Sequence, residues 1–141
     1  VSAGAGAGVV ILLVEDNPAD VFFFTEALEA SGAAATVHVA SNGDEALAFL
    51  RREGPWADAP RPGIVVLDLN LPVRTGWETL LEISGDRALS DIPTVILTTS
   101  GAESTAGARH TGESCRFFTK THDFARLQQI VRDIVALARP R

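Results

Sequence analysis

Three short apolar runs constrain this chain more than any other feature. "VVILLV" (Val9–Val14), "IVVLDL" (Ile64–Leu69) and "TVILTT" (Thr94–Thr99) are rich in β-branched residues, and polar residues do not alternate along them as they would on a half-solvated strand. A strand that is apolar on both sides must be covered on both sides, and a parallel sheet between two layers of helix does this. "TVHVA" from Thr36 and "CRFFT" from Cys115 are weaker strand candidates. Helical spacing fills the intervals. The first helix has Asn17 as cap, Pro18 in the first position and Gly32 as stop. A second begins at Ser41, with Asp44 as a capping-box variant, and runs through Leu47 and Leu50. A third follows Gly76 through Leu80 and Ile83, and the last follows Asp123 through Leu127, Val131 and Ile134.

Two segments fit this alternation less well. "GAESTAGARHTGESC", before the fifth strand, carries Gly107 and Gly112 and few large apolar residues, and is expected to form a short, mobile helix. "RREGPWADAPRPG" (Arg51–Gly63) is loop chemistry, and its Trp56 needs an apolar surface to rest on. The expectation is one α/β domain from residue 9 to 141, doubly wound around five parallel strands, after a flexible lead-in over residues 1–8.

Charge and cysteine content exclude several function classes. A net charge of −6 without Lys/Arg clusters disfavours nucleic-acid backbones and anionic membranes as partners. No apolar run spans a bilayer. One cysteine, Cys115, permits no internal disulfide, and a cytoplasmic location is the expectation. His38, His110 and His122 are isolated and lack metal-ligand spacing.

Polar residues gather where an open α/β sheet binds ligands, just beyond the carboxyl ends of the strands. Glu15 and Asp16 follow the first strand, Asp68 interrupts the third, Thr98 and Thr99 close the fourth, and Lys120 closes the fifth. Two carboxylates about 5 Å apart repel by roughly 3 kcal/mol at an effective dielectric near 20, so three clustered acids call for a cation. Mg²⁺ takes oxygen ligands and is satisfied by one or two carboxylates with water and phosphate. Asp68 is then the natural nucleophile toward phosphorus, with Lys120 as a point charge and Thr98 as a hydroxyl donor for the phosphoryl oxygens.

"VEDNPAD", "LDLNLPVRTG", "IPTVILTTS" and "FFTK", in this order and spacing, resemble the receiver domain of two-component response regulators over nearly the whole chain. The resemblance implies a flavodoxin-like receiver fold with strand order 2-1-3-4-5 and phosphotransfer from a sensor histidine kinase to Asp68. It implies Mg²⁺ held by Asp16, Asp68 and the backbone carbonyl of Asn70, with Glu15 acting indirectly. Thr98 falls at the switch hydroxyl, Phe117 at the switch aromatic and Lys120 at the family lysine. Asn70 and Ser100 fall where the family sets acyl-phosphate lifetime. "LLVEDNPAD", the long Arg51–Gly63 loop, "DLNLP" and "LTTS" look most like the stand-alone regulators paired with phytochrome-type kinases. With no output domain expected after the last helix, such a protein signals through receiver contacts and is not an enzyme. One departure is Lys120-Thr121, where the family has Lys-Pro with a cis bond. Either the loop is trans and aims Lys120 differently, or local contacts sustain strain.

Two surfaces suggest partners. A stripe of Val21, Phe24 and Leu28 would turn Phe23 away from the core, toward a docked kinase. On the last helix Ile130 and Leu137 extend the apolar stripe sideways, suggesting a homodimer through the face formed by the fourth and fifth helix–strand units. A degenerate receiver that only binds proteins is one competing reading. An aspartate-nucleophile phosphatase is another, weakened because Asn70 stands where that chemistry needs a second acid.

Overall fold

The computed structural model describes residues 8–71, 73–99 and 115–138. Its elements run β1 (Val9–Val14), α1 (Pro18–Ser31), β2 (Ala35–Ala40), α2 (Gly43–Arg51), β3 (Ile64–Leu67), α3 (Gly76–Gly85), β4 (Thr94–Thr98), β5 (Cys115–Thr119) and α4 (Phe124–Leu137). All adjacent strands pair in parallel in the order β2-β1-β3-β4-β5, as the sequence predicts. Parallel pairing brings every strand's carboxyl end to one edge. The order reverses between β1 and β3, which opens a crevice there for a ligand.

Local sequence explains the helix starts. Asn17 accepts a hydrogen bond from the Ala19 N–H at 2.9 Å, Pro18 follows, and Gly32 ends α1 at φ 77° with its N–H on the Glu29 carbonyl. Thr75 and Glu78 form a reciprocal capping box on α3, and Asp123 caps α4. At α2 the sequence expectation is off by one residue. The cap is Asn42, whose side chain accepts from the Glu45 N–H at 2.8 Å, while Glu45 reaches back to the Ser41 N–H. Asp44 instead faces Arg74 at 2.7 Å.

Alternate residues of the central strands feed two cores. Leu12, Val14, Val65, Leu67 and Ile96 meet Phe49 and Leu50 of α2 and Leu80 and Ile83 of α3. Ile11, Leu13, Ile64, Val66 and Val95 meet Phe24 and Leu28 of α1 and the buried face of α4. Trp56, in a 3₁₀ turn over Gly54–Trp56, rests on Phe49 at a ring distance of 5.4 Å. Arg61 ties the same loop to the Ala88 carbonyl and to Asp91, and Arg51 pairs with Glu82 and Asp86, so the Arg51–Gly63 segment is fastened at both of its ends. The expected helix in the Gly-rich segment before β5, His110 and the lead-in over residues 1–7 lie outside the described residues.

The side chains behind both partner-surface expectations are placed differently from the sequence reading. Phe23 is partly buried against the second core, its ring 5.5 Å from Phe124, and the exposed member of the triplet is Phe22, at 65%. Ile130 is 3% exposed and Leu137 is partly buried in the same cluster. The cause is shared: α1 and α4 pack against each other as well as against the sheet, so each buries a wider arc than the single stripe that period counting assigns. The apolar surplus is core, and it gives no support to a dimer interface. Phe23→Ala is expected to lower the urea midpoint with a loss of about 1–3 kcal/mol, whereas Phe22→Ala stays within about 0.5 kcal/mol of wild type.

Candidate functional site

The site is built from strand ends locked by ladder hydrogen bonds. Glu15 N–H bonds the Ala40 carbonyl at 2.9 Å, Asp68 N–H the Val14 carbonyl at 3.1 Å, and Lys120 N–H the Thr98 carbonyl at 2.8 Å. Each functional residue is therefore the first one past its strand, held in register by a neighbour. Gly76 supports the segment from below: it is buried, and a Cβ there would collide with the Asp68 carbonyl and lie 2.6 Å from Leu69 Cα. Only glycine permits this approach of α3 to the Asp68 backbone.

Three carboxylates converge, as the sequence predicts. Single oxygens of Glu15, Asp16 and Asp68 lie within 4.8 Å of one another. Glu15 and Asp68 are 5% and 6% exposed, and Asp16 faces solvent. Asp68 Oδ1 accepts from the Asn70 N–H at 3.1 Å, and Glu15 Oε2 from the Asn17 N–H at 3.2 Å. Clustered hard oxygen donors, two of them nearly dehydrated and one open to water, fit a hexacoordinate divalent cation that retains part of its water shell.

Lys120 enters the cluster with its peptide to Thr121 trans. Its Nζ donates to Glu15 Oε1 at 2.8 Å, Asp20 Oδ2 at 2.8 Å and Asp68 Oδ2 at 3.0 Å. The lysine is thus aimed at Asp68 without the proline. Burial pulls the Lys120 pKa down, but the bonds to Asp20, Glu15 and Asp68 outweigh it and hold the ammonium charged. Burial pushes Glu15 up to about 7, with the Asp68 charge adding to the rise and the Lys120 bond opposing it.

Thr98 is 1% exposed, and its Oγ1 has no hydrogen-bond partner among the described residues. A buried hydroxyl left unpaired costs about 1–3 kcal/mol, so this one has unused capacity for an acceptor. Phe117 is half-buried at the edge of the first core, its ring 6.0 Å from that of Trp77. Thr99 is exposed, and Ser100 lies outside the described residues. Asp20 is the site residue that sequence reasoning missed. It reads as a first-turn charge favoured by the helix dipole, and nothing in the sequence indicates that this turn bends its carboxylate back onto Lys120.

Residues 11–132 match the family model for the response regulator receiver domain, and the chain belongs to that family. Among curated relatives it is similar to response regulator Rcp1 of Synechocystis sp., 38% identical over 125 residues that cover 89% of this chain and 85% of that protein. It is also similar to the phosphorylated cyanobacterial phytochrome response regulator RcpA, with a TM-score of 0.82 at 38% identity over 95% of this chain and 99% of that one. The Mn²⁺-bound form of Rcp1 gives a TM-score of 0.78 at 36% identity over 89% and 91% of the two chains. The likeness to phytochrome-associated regulators seen in the sequence is thereby borne out. Among the described residues, no helix is long and apolar enough to cross a membrane.

The raised Glu15 pKa has a defined sign. Between about pH 4.5 and 7 the folded chain binds a proton that the unfolded chain has released, so stability falls as pH rises through this window, by on the order of 3 kcal/mol in all. A divalent cation relieves that cost only where Glu15 is ionised. Mg²⁺ is therefore expected to raise Tm more at pH 8 than at pH 6, with affinity roughly tenfold weaker at the lower pH, and Glu15→Gln should flatten the dependence.

Proposed function

We propose that this receiver accepts a phosphoryl group on Asp68 from the phosphohistidine of a sensor kinase, with Mg²⁺ as the working cation. The observation that carries the reading is the position of Asp68: a nearly dehydrated carboxylate 3.0 Å from the Lys120 ammonium and within 4.8 Å of the Glu15 and Asp16 oxygens. The carboxylates of Asp16 and Asp68 would hold the cation, with the Asn70 carbonyl as a further ligand by family likeness. When bound, it supplies positive charge against the repulsion between acceptor and phosphoryl group.

The chain's own residues do the rest. Asp68 presents a carboxylate oxygen to phosphorus and forms an acyl phosphate, while the donor nitrogen departs with its bonding electrons. Lys120 turns from the Asp68 oxygen to a phosphoryl oxygen without losing its proton. Thr98 is buried with a free hydroxyl and gains in the phosphoryl group the acceptor it lacks. Movement of Thr98 toward that group leaves space along β4, and Phe117, which pairs with Ile96 on the neighbouring strand, is placed to respond. The domain assists its own phosphorylation and acts through protein contacts. The likeness to RcpA and Rcp1 favours a phytochrome-type kinase as donor.

Incubation with acetyl phosphate and Mg²⁺ is expected to add the mass of one phosphoryl group, and Asp68→Asn to abolish the label. A wild-type chain that stays unlabelled with both the small donor and a panel of phytochrome-type kinases would sink the reading. Thr98→Val separates signalling from stability. Removing an unpaired buried hydroxyl should leave the unphosphorylated chain unchanged or about 1 kcal/mol more stable by urea titration, while the phosphorylation-linked change in amide chemical shifts around Phe117 is lost.

A further inference from the structure

Phosphoryl acceptance at Asp68 accounts for Glu15, Asp16, Thr98 and Lys120 and leaves Asp20 without a role. An ammonium has three N–H donors, and in Lys120 all three reach carboxylates: Glu15 and Asp20 at 2.8 Å and Asp68 at 3.0 Å. These three partners are not equivalent. Glu15 and Asp68 belong with Asp16 to the group of oxygens that fits a divalent cation, and Asp20 does not. A cation in that group competes with the ammonium for the same lone pairs. Phosphoryl transfer then turns an Asp68 carboxylate oxygen into an anhydride oxygen, a far weaker acceptor. Of the three contacts, only the one to Asp20 is untouched by both events.

The surroundings show what that contact prevents. Opening from the Glu15 side of the site is a cavity of about 260 Å³ whose lining includes Glu15, Asp20, Phe23, Thr99, Lys120 and His122. A lysine released by Glu15 and Asp68 has room to turn into this space and away from the phosphoryl group. Asp20 is not needed to cap α1, because the Asn17 side chain does so.

We propose that Asp20 is a positioning residue, a tether from the first turn of α1 that keeps the Lys120 ammonium over Asp68 during phosphoryl transfer. The inference rests on Asp68 being the acceptor. In the transfer an Asp68 oxygen forms its bond to phosphorus, and the donor's bond to phosphorus breaks with the electron pair leaving on the donor. The ammonium exchanges the Asp68 oxygen for a phosphoryl oxygen, keeping its proton and its bond to Asp20.

The test follows acetyl phosphate labelling by intact mass at saturating Mg²⁺ for wild type, Asp20→Asn, Asp20→Glu, Lys120→Arg and the Asp20→Asn/Lys120→Arg pair. Asp20→Asn is expected to slow labelling roughly tenfold, while Mg²⁺ affinity in a parallel titration stays within about twofold, and Asp20→Glu should restore most of the rate. In the Lys120→Arg background the Asp20→Asn penalty should change by more than about threefold, because the two side chains act as a unit. A helix-dipole role predicts the opposite pattern, an equal Asp20→Asn penalty in both backgrounds, and that result overturns the proposal. So does wild-type labelling in Asp20→Asn. Failure of the underlying reading looks different, since wild type itself would then remain unlabelled or Asp68→Asn would label equally well.

Discussion

One ammonium faces four carboxylates at the carboxyl edge of this sheet, and much of the local architecture follows from that imbalance. Lys120 bonds Glu15, Asp20 and Asp68, while Asp16 stays in solvent. Glu15 and Asp68 are offset by the lysine and by backbone N–H groups from Asn17 and Asn70. Even so, Glu15 retains a proton up to about pH 7. Three acids within reach of one another and a single ammonium leave carboxylate oxygens that fit a second positive charge.

Holding such a cluster requires a frame that does not yield. The ladder bonds at Glu15, Asp68 and Lys120 extend each strand by one residue into the site, so side-chain positions inherit the rigidity of the sheet. Gly76 lets α3 abut the Asp68 carbonyl, which fixes the segment that carries Asp68. The loop between them is less relaxed: Val73, β-branched and exposed, sits at φ 69°, a left-handed conformation that such residues seldom adopt. Rigid strand ends thus lie beside a strained loop, with the buried Thr98 hydroxyl one strand away.

Most of the fold was legible in the sequence because its signals are local. Uninterrupted β-branched runs identify strands covered on both faces, Asn17-Pro18 and Gly32 bound α1, and the acids fall directly after the runs. Even the α2 start was missed by only one residue, since Ser41 and Asn42 are both competent caps and the choice depends on which side chain meets the Glu45 N–H. The convergence of Glu15, Asp16, Asp68 and Lys120 was legible for a different reason. Parallel strands place all their carboxyl ends on one edge, so position in sequence translates directly into position in the site.

What only the tertiary structure decided lies between elements. Phe23 turns inward against Phe124 and Ile130 becomes core, because α1 and α4 meet side by side, and a helix wedged between a sheet and another helix buries more than one stripe. Asp20 joins the site because the first turn of α1 brings its carboxylate within 2.8 Å of the Lys120 ammonium. The sequence by itself determined which strands form, what they are made of and which charges crowd their ends, since these depend on neighbours along the chain. How helices rest on one another, and hence which side chains reach across from one element to the next, depends on mutual packing that no local pattern encodes.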